Sequence, residues 1–165
     1  MFDNTCWMDA RHRVERAAVP SARRRRVLVV QNDRLAAEAL MFTLDSEPAL
    51  EPIGYALDGW EAIALIDAFE PDVVLVGSDV GGLDRLELSW WTHEFFPEVA
   101  SVLVWDEASA EQCEAAYAAG AESCLAASCS ADELLLTLAT AGCAPVSHPS
   151  GDTHLRLVSA GDARG

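Results

Sequence analysis

Three runs constrain this chain more than anything else in it: VLVVQ (27–31), VVLVG (73–77) and SVLVW (101–105). They are continuously apolar and rich in Val, with no alternating polar face. A strand of that kind is buried on both sides, as in a parallel sheet covered by helices above and below. SCLAA (123–127) is a shorter run of the same kind. LEPIGYA (50–56) is weaker, and its Pro52, which has no amide to donate, predicts a place at the sheet edge.

Helical patterns fill the gaps. RLAAEALMFTLDS (34–46) follows Asp33, and its Leu35, Ala39, Leu40, Phe42 and Leu44 read as the apolar face. Capping-box patterns open three further helices: DGWE (58–61) before WEAIALIDAF, SAEQ (109–112) before CEAAYAAG, and SADE (130–133) before LLLTLATAG. Another helix starts near Asp84 and runs through LDRLELSWWTHEFF, and Gly120 is placed to end the one before SCLAA. Five strands alternating with five helices through short connections predict one doubly wound α/β domain over 27–142. Residues 1–26 read as a flexible Arg-rich arm and 143–165, rich in Pro, Ser and Gly, as a disordered tail.

Charge narrows the partners. The net charge is −16, there is no Lys, and seven of the eleven Arg precede Val27. The acidic body repels phosphate backbones. The RRRR tract at 23–26 either touches an acidic surface or folds back on the body, and nucleic-acid binding by this chain alone is not expected. No apolar run approaches the roughly 18–20 residues that cross a bilayer, and no signal-peptide pattern opens the chain. A soluble, cytoplasmic protein with no membrane association is the expectation. Cys6, Cys113, Cys124, Cys129 and Cys143 show no C-x-x-C spacing, and their odd number argues against a disulfide framework. His12, His93, His148 and His154 are scattered, so no metal or cofactor is expected.

Taken in order, VLVVQND, RLAAEAL, DGWEAIAL, EPDVVLV, LDRLEL, FPEVASVLV, AGAESCLAA and SADELLLTL resemble the receiver (CheY-like) domain of two-component response regulators. The resemblance runs from about Arg26 to Gly142. It implies a flavodoxin-like sheet of strand order 2-1-3-4-5 with a pocket at the carboxyl ends of strands 1 and 3. It also implies phosphoryl transfer from a phospho-histidine to an aspartate, with an acidic pair holding Mg²⁺ and a hydroxyl and a Lys steadying the phosphoryl oxygens.

Carried onto this sequence, the acceptor aspartate falls on Gly77 and the acidic pair on Gln31 and Asn32. The hydroxyl position is Trp105, the Lys position Ala127 and the switch aromatic Cys124. Each has lost the group its role requires, so the chain reads as a degenerate pseudo-receiver with no catalytic residue, and Trp105 is expected to project over the space left by Gly77. An alternative keeps Asp79 as a displaced acceptor with Asp33 as a metal ligand. Against it, two residues of strand displace a carboxylate by about 7 Å, Asp33 suits a helix N-cap and Asp79 a turn. A small-molecule site beside Trp105 is a further alternative. Trp90 and Trp91 are adjacent on one helix and cannot both face the core, so with Tyr117 they are candidates for a partner surface.

The reading that results is a stand-alone, phosphorylation-independent interaction module. Its partner is expected to be a histidine kinase, a phosphotransfer protein or a response regulator, with a homodimer possible. The acids at Glu111, Glu114 and Glu122 leave few basic partners for the reciprocal salt bridges of the usual receiver dimer.

Overall fold

The computed structural model describes residues 23–77 and 80–142. The elements follow in strict alternation: β1 (Arg25–Val30), α1 (Arg34–Asp45), β2 (Leu50–Ala56), α2 (Gly59–Phe69), β3 (Val73–Val76), α3 (Arg85–Phe95), β4 (Ala100–Trp105), α4 (Ala110–Ala118), β5 (Ser123–Ala126) and α5 (Ala131–Thr140). The strands form one five-stranded sheet in the order β2-β1-β3-β4-β5, every neighbouring pair parallel. This is the flavodoxin-like order, and the boundaries lie within two residues of the runs read from the sequence.

Because side chains alternate along a strand, the continuous apolar runs feed two cores at once. Val27, Val29, Val73, Leu75 and Val102 pack with Ala37 and Leu44 of α1 and Leu138 and Ala139 of α5. Leu28, Val30, Val74, Val76 and Leu103 pack with Ala62 and Ile66 of α2, Leu88 of α3 and Ala116 of α4. Each fully buried Val or Leu contributes about 1.5–3 kcal/mol. Pro52 does sit on the edge strand, beside a bulge where Val27 pairs Pro52 but Leu28 pairs Gly54.

The helix starts follow their caps. Asp33 accepts from the Leu35 amide at 3.0 Å, Asp58 from Glu61 at 2.8 Å and Ser130 from Glu133 at 3.1 Å. Ser109 and Gln112 close a full capping box. Gly120, at φ +92°, follows the end of α4 as expected.

Two expectations are corrected. The buried stripe of α1 is Ala37, Leu40, Met41 and Leu44, a regular i, i+3, i+4, i+7 set, while Leu35 and Phe42 are 75% and 82% exposed. The small Ala37 lets the helix lie close on the sheet, and that choice turns the two larger side chains outward. The Arg tract is also part of the domain. Arg25 and Arg26 belong to β1, and Arg23 grips Asp72 through two hydrogen bonds of 2.8 and 2.9 Å. The Arg26 amide donates to the same carboxylate at 2.9 Å, and its guanidinium donates to the Glu70 carbonyl at 3.0 Å. The Arg25 guanidinium reaches the Ala141 carbonyl. The tract folds back onto the acidic body and seals the sheet's amino-terminal end. Residues 1–22 and 143–165, read as arm and tail, lie outside the described residues.

Candidate functional site

Parallel strands direct all their carboxyl ends to one rim, and the residues just beyond them meet there. Gln31 follows β1 and donates its amide to the Ala56 carbonyl at 3.0 Å. Gly77 follows β3 and donates to Val30 at 2.8 Å, and Ala127 follows β5 and donates to Trp105 at 2.6 Å. The sheet's own hydrogen bonds therefore align Gln31, Gly77, Trp105 and Ala127 along one rim. Ser78 and Asp79 lie outside the described residues, so the displaced-acceptor alternative is not placed.

Gln31 and Gly77 form the tightest contact of the rim. A Cβ placed on Gly77 would lie 2.5 Å from Gln31 Nε2 and 2.9 Å from its Cδ. Gln31 is only 9% exposed, and its Oε1 accepts from the Asn32 amide at 3.1 Å. The side chain nearest the space beside position 77 is thus that of Gln31. The reason is positional: Gln31 follows β1, which neighbours β3 directly, and it is long enough to lie across the glycine.

Trp105 is engaged elsewhere. The Arg85 guanidinium stands 4.3 Å from its ring centroid, and Arg85 also donates to the Val104 carbonyl at 2.9 Å. The first residue of α3 therefore supplies a positive charge at the end of β4, with a cation–π contact to hold it. The indole Nε1 is buried and makes no conventional hydrogen bond among the described residues, though it bears on the Cys124 sulfur.

The remaining positions complete the rim. Asn32 and Ala127 are exposed. Asp33 is used as the cap of α1. Among the described residues no three His, Cys, Asp or Glu side chains gather to hold a metal. The Mg²⁺ that the receiver fold implies therefore does not fit the residues described here. Gln31 and Asn32 offer only neutral carbonyl oxygens, one of them already accepting a hydrogen bond, where a hard dication takes carboxylates.

Cys124 lies on β5, paired in register with Leu103. Its sulfur is 2.8 Å from that of Cys113 on α4. Burial, and then the adjacent Cys113, push the Cys124 thiol up to about 12, against the opposing pull of Trp105 and Arg85. The Tyr117 hydroxyl is raised in turn, first by burial and then by the two thiols, while a hydrogen bond to the Cys124 backbone opposes the shift. Tyr117 is thus half-buried and tied to β5.

The two tryptophans divide as adjacency on a helix requires. Trp90 is 46% exposed, and Trp91 packs against the core built on Leu28, Val30, Val74 and Val76. Trp91 stacks on Phe95 with centroids 4.8 Å apart, and Trp60 meets its edge at 6.2 Å. Trp90 meets both Trp91 and Phe95 edge-on. Trp60 and Phe95 are each more than half exposed. The patch also touches the rim through one connection. Gly59 donates to the Gly81 carbonyl at 3.0 Å, a Cβ on Gly59 would lie 2.4 Å from that of Leu83, and one on Gly82 would lie 3.4 Å from Trp60 Cδ1.

Sequence reasoning missed Arg85, Trp60 and the pairing of Cys113 with Cys124. Each owes its place to segments that meet only on folding, and the arginine sits in an otherwise ordinary helix start.

No model of a known protein family matches the chain. Curated relatives match short segments. A protein-glutamate methylesterase/protein-glutamine glutaminase of Geobacter sulfurreducens is 32% identical over 81 residues, 49% of this chain and 22% of that protein. One of Anaeromyxobacter dehalogenans is 45% identical over 49 residues, 30% of this chain and 14% of that protein. The matches span less than a quarter of those relatives. Among solved structures, the response regulator domain of Thermotoga maritima CheB aligns with a TM-score of 0.68 at 24% identity, covering 75% of this chain and all of that one. The signal receiver domain of response regulator NarL from Mycobacterium tuberculosis aligns at 0.65 and 23%, covering 69% and 92%. The fold is that of response-regulator receiver domains.

Proposed function

We propose that this chain is a regulatory module of receiver fold that works without accepting a phosphoryl group, by binding another two-component signalling protein. The candidate partners are a histidine kinase, a phosphotransfer protein or a response regulator in the cytoplasm. The observation that carries this is the Gln31 amide lying where a side chain at position 77 would have to sit. The neutral Gln31 and Asn32, the exposed Ala127 and the absence of any Lys in the chain support it. A receiver normally changes state because phosphorylation biases two conformations. Without that bias, the differential affinity of a partner takes its place. The contact surface in this reading is the aromatic patch of Trp60, Trp90, Trp91 and Phe95, since exposed aromatics are the residues that anchor interfaces.

The test is incubation of the full chain with acetyl phosphate and Mg²⁺, followed by intact-mass measurement. The expected mass is unchanged. A gain of about 80 Da, one phosphoryl group, would refute the proposal, and its location at Asp79 would establish the displaced acceptor.

A further inference from the structure

Cys113 and Cys124 are eleven positions apart, on α4 and β5, and the fold brings their sulfurs to 2.8 Å. Both are free thiols and only half-buried, so a small oxidant can reach them. A disulfide bond is about 2.05 Å long, so closing one here asks for less than about 1 Å of sulfur travel. Arg85 and the Trp105 indole bear on Cys124 in the sense that stabilises its thiolate, but burial and Cys113 outweigh them, so the closeness of the two sulfurs is what carries the inference.

We infer that Cys113 and Cys124 form a reversible dithiol–disulfide pair, a modification site that joins α4 covalently to β5 when a small hydroperoxide is the oxidant. The inference is independent of whether the chain accepts a phosphoryl group.

Either sulfur can make the first attack, and the steps are the same with the two exchanged; they run from Cys113 as follows. Its sulfur bonds to one oxygen of the hydroperoxide as the O–O bond breaks, giving a sulfenic acid, and the other oxygen takes up the proton and leaves as water or an alcohol. Cys124 then attacks the Cys113 sulfur, the S–S bond forms, and the sulfenic oxygen leaves as a second water. The two thiols lose two electrons and two protons, the hydroperoxide gains both, and a dithiol reductant reverses the change.

The test uses the full chain with Cys6→Ser, Cys129→Ser and Cys143→Ser, beside the unaltered protein. Treatment with hydrogen peroxide at a few equivalents is followed by intact mass and by cleavage after Glu without reduction. The expected result is a loss of about 2 Da, two hydrogens, restored by dithiothreitol. In the altered chain, residues 112–114 should be recovered joined to 123–133. Cys113→Ser and Cys124→Ser should each abolish the change with circular dichroism retained. Persistence of two titratable thiols in the altered chain would overturn the inference. So would a link in the unaltered protein that joins Cys113 to Cys129 or to a second chain.

Discussion

Replacing Gly77 by Ala places one methyl carbon 2.5 Å from Gln31 Nε2 and 2.9 Å from Cδ, well inside the roughly 3.5–4.0 Å at which heavy atoms rest. Backbone strain is not the issue, because Gly77 is not among the positive-φ residues. Gln31 must swing away. It then gives up its hydrogen bond from Asn32, worth about 1 kcal/mol, and repacks at about 1–3 kcal/mol. Reduced freedom of the unfolded chain returns about 0.4–1 kcal/mol, so the net cost is about 1–3 kcal/mol. In a Gln31→Ala background the obstacle is gone, and the same Gly77→Ala change should fall within about 0.5 kcal/mol of neutral. Urea unfolding of the wild type, both single variants and the double variant measures this cycle at unchanged m-value. The expected coupling is about 1–3 kcal/mol. Additivity to within about 0.5 kcal/mol, the behaviour of independent sites, would show that Gln31 does not occupy the space beside position 77.

Two further outcomes follow from the same geometry. Arg85→Ala removes the guanidinium from Trp105 and from the Val104 carbonyl, and should cost about 1–2 kcal/mol with a change in tryptophan emission, read by fluorescence-monitored unfolding. Burial alone would push Asp72 up, yet the Arg26 amide and the Arg23 guanidinium together hold it below its ordinary 3.8. A depressed carboxylate stabilises the fold above its unfolded pKa, and that stabilisation is lost as pH falls through the folded one. Asp72→Asn should therefore be less stable than wild type near neutrality, by about 1 kcal/mol or less for so exposed a pair. The difference should shrink below the ordinary 3.8 and disappear once the pH has fallen through the lowered folded value, as read in thermal melts.

The sheet was legible almost residue by residue because VLVV and VVLV have no polar face to confuse their assignment: such strands fit only a covered parallel sheet. The face of α1 was not. Leu35 and Phe42 are apolar and helical in spacing, and nothing local says that the smaller Ala37 marks the side against the sheet. The rim positions at 31, 77, 105 and 127 were read from the family resemblance, and hydrogen bonds from strand to strand do align them. Their interactions were not legible, since Gln31 across Gly77 and Arg85 over Trp105 depend on side-chain reach between segments that are distant in sequence. The same is true of the two cysteines, whose spacing matches no motif and which only the packing of α4 on β5 makes neighbours.

The bareness of Gly59 has an effect beyond its own turn. With no side chain there, the start of α2 lies against Leu83, and a Cβ on Gly82 would just reach the neighbouring indole. The connector that follows β3 and the first turn of α2 are thus packed together, which places Trp60 beside residues 81–83. If the proposed partner binds the aromatic patch, any effect it has on that connector is matched by an equal effect of the connector on its binding.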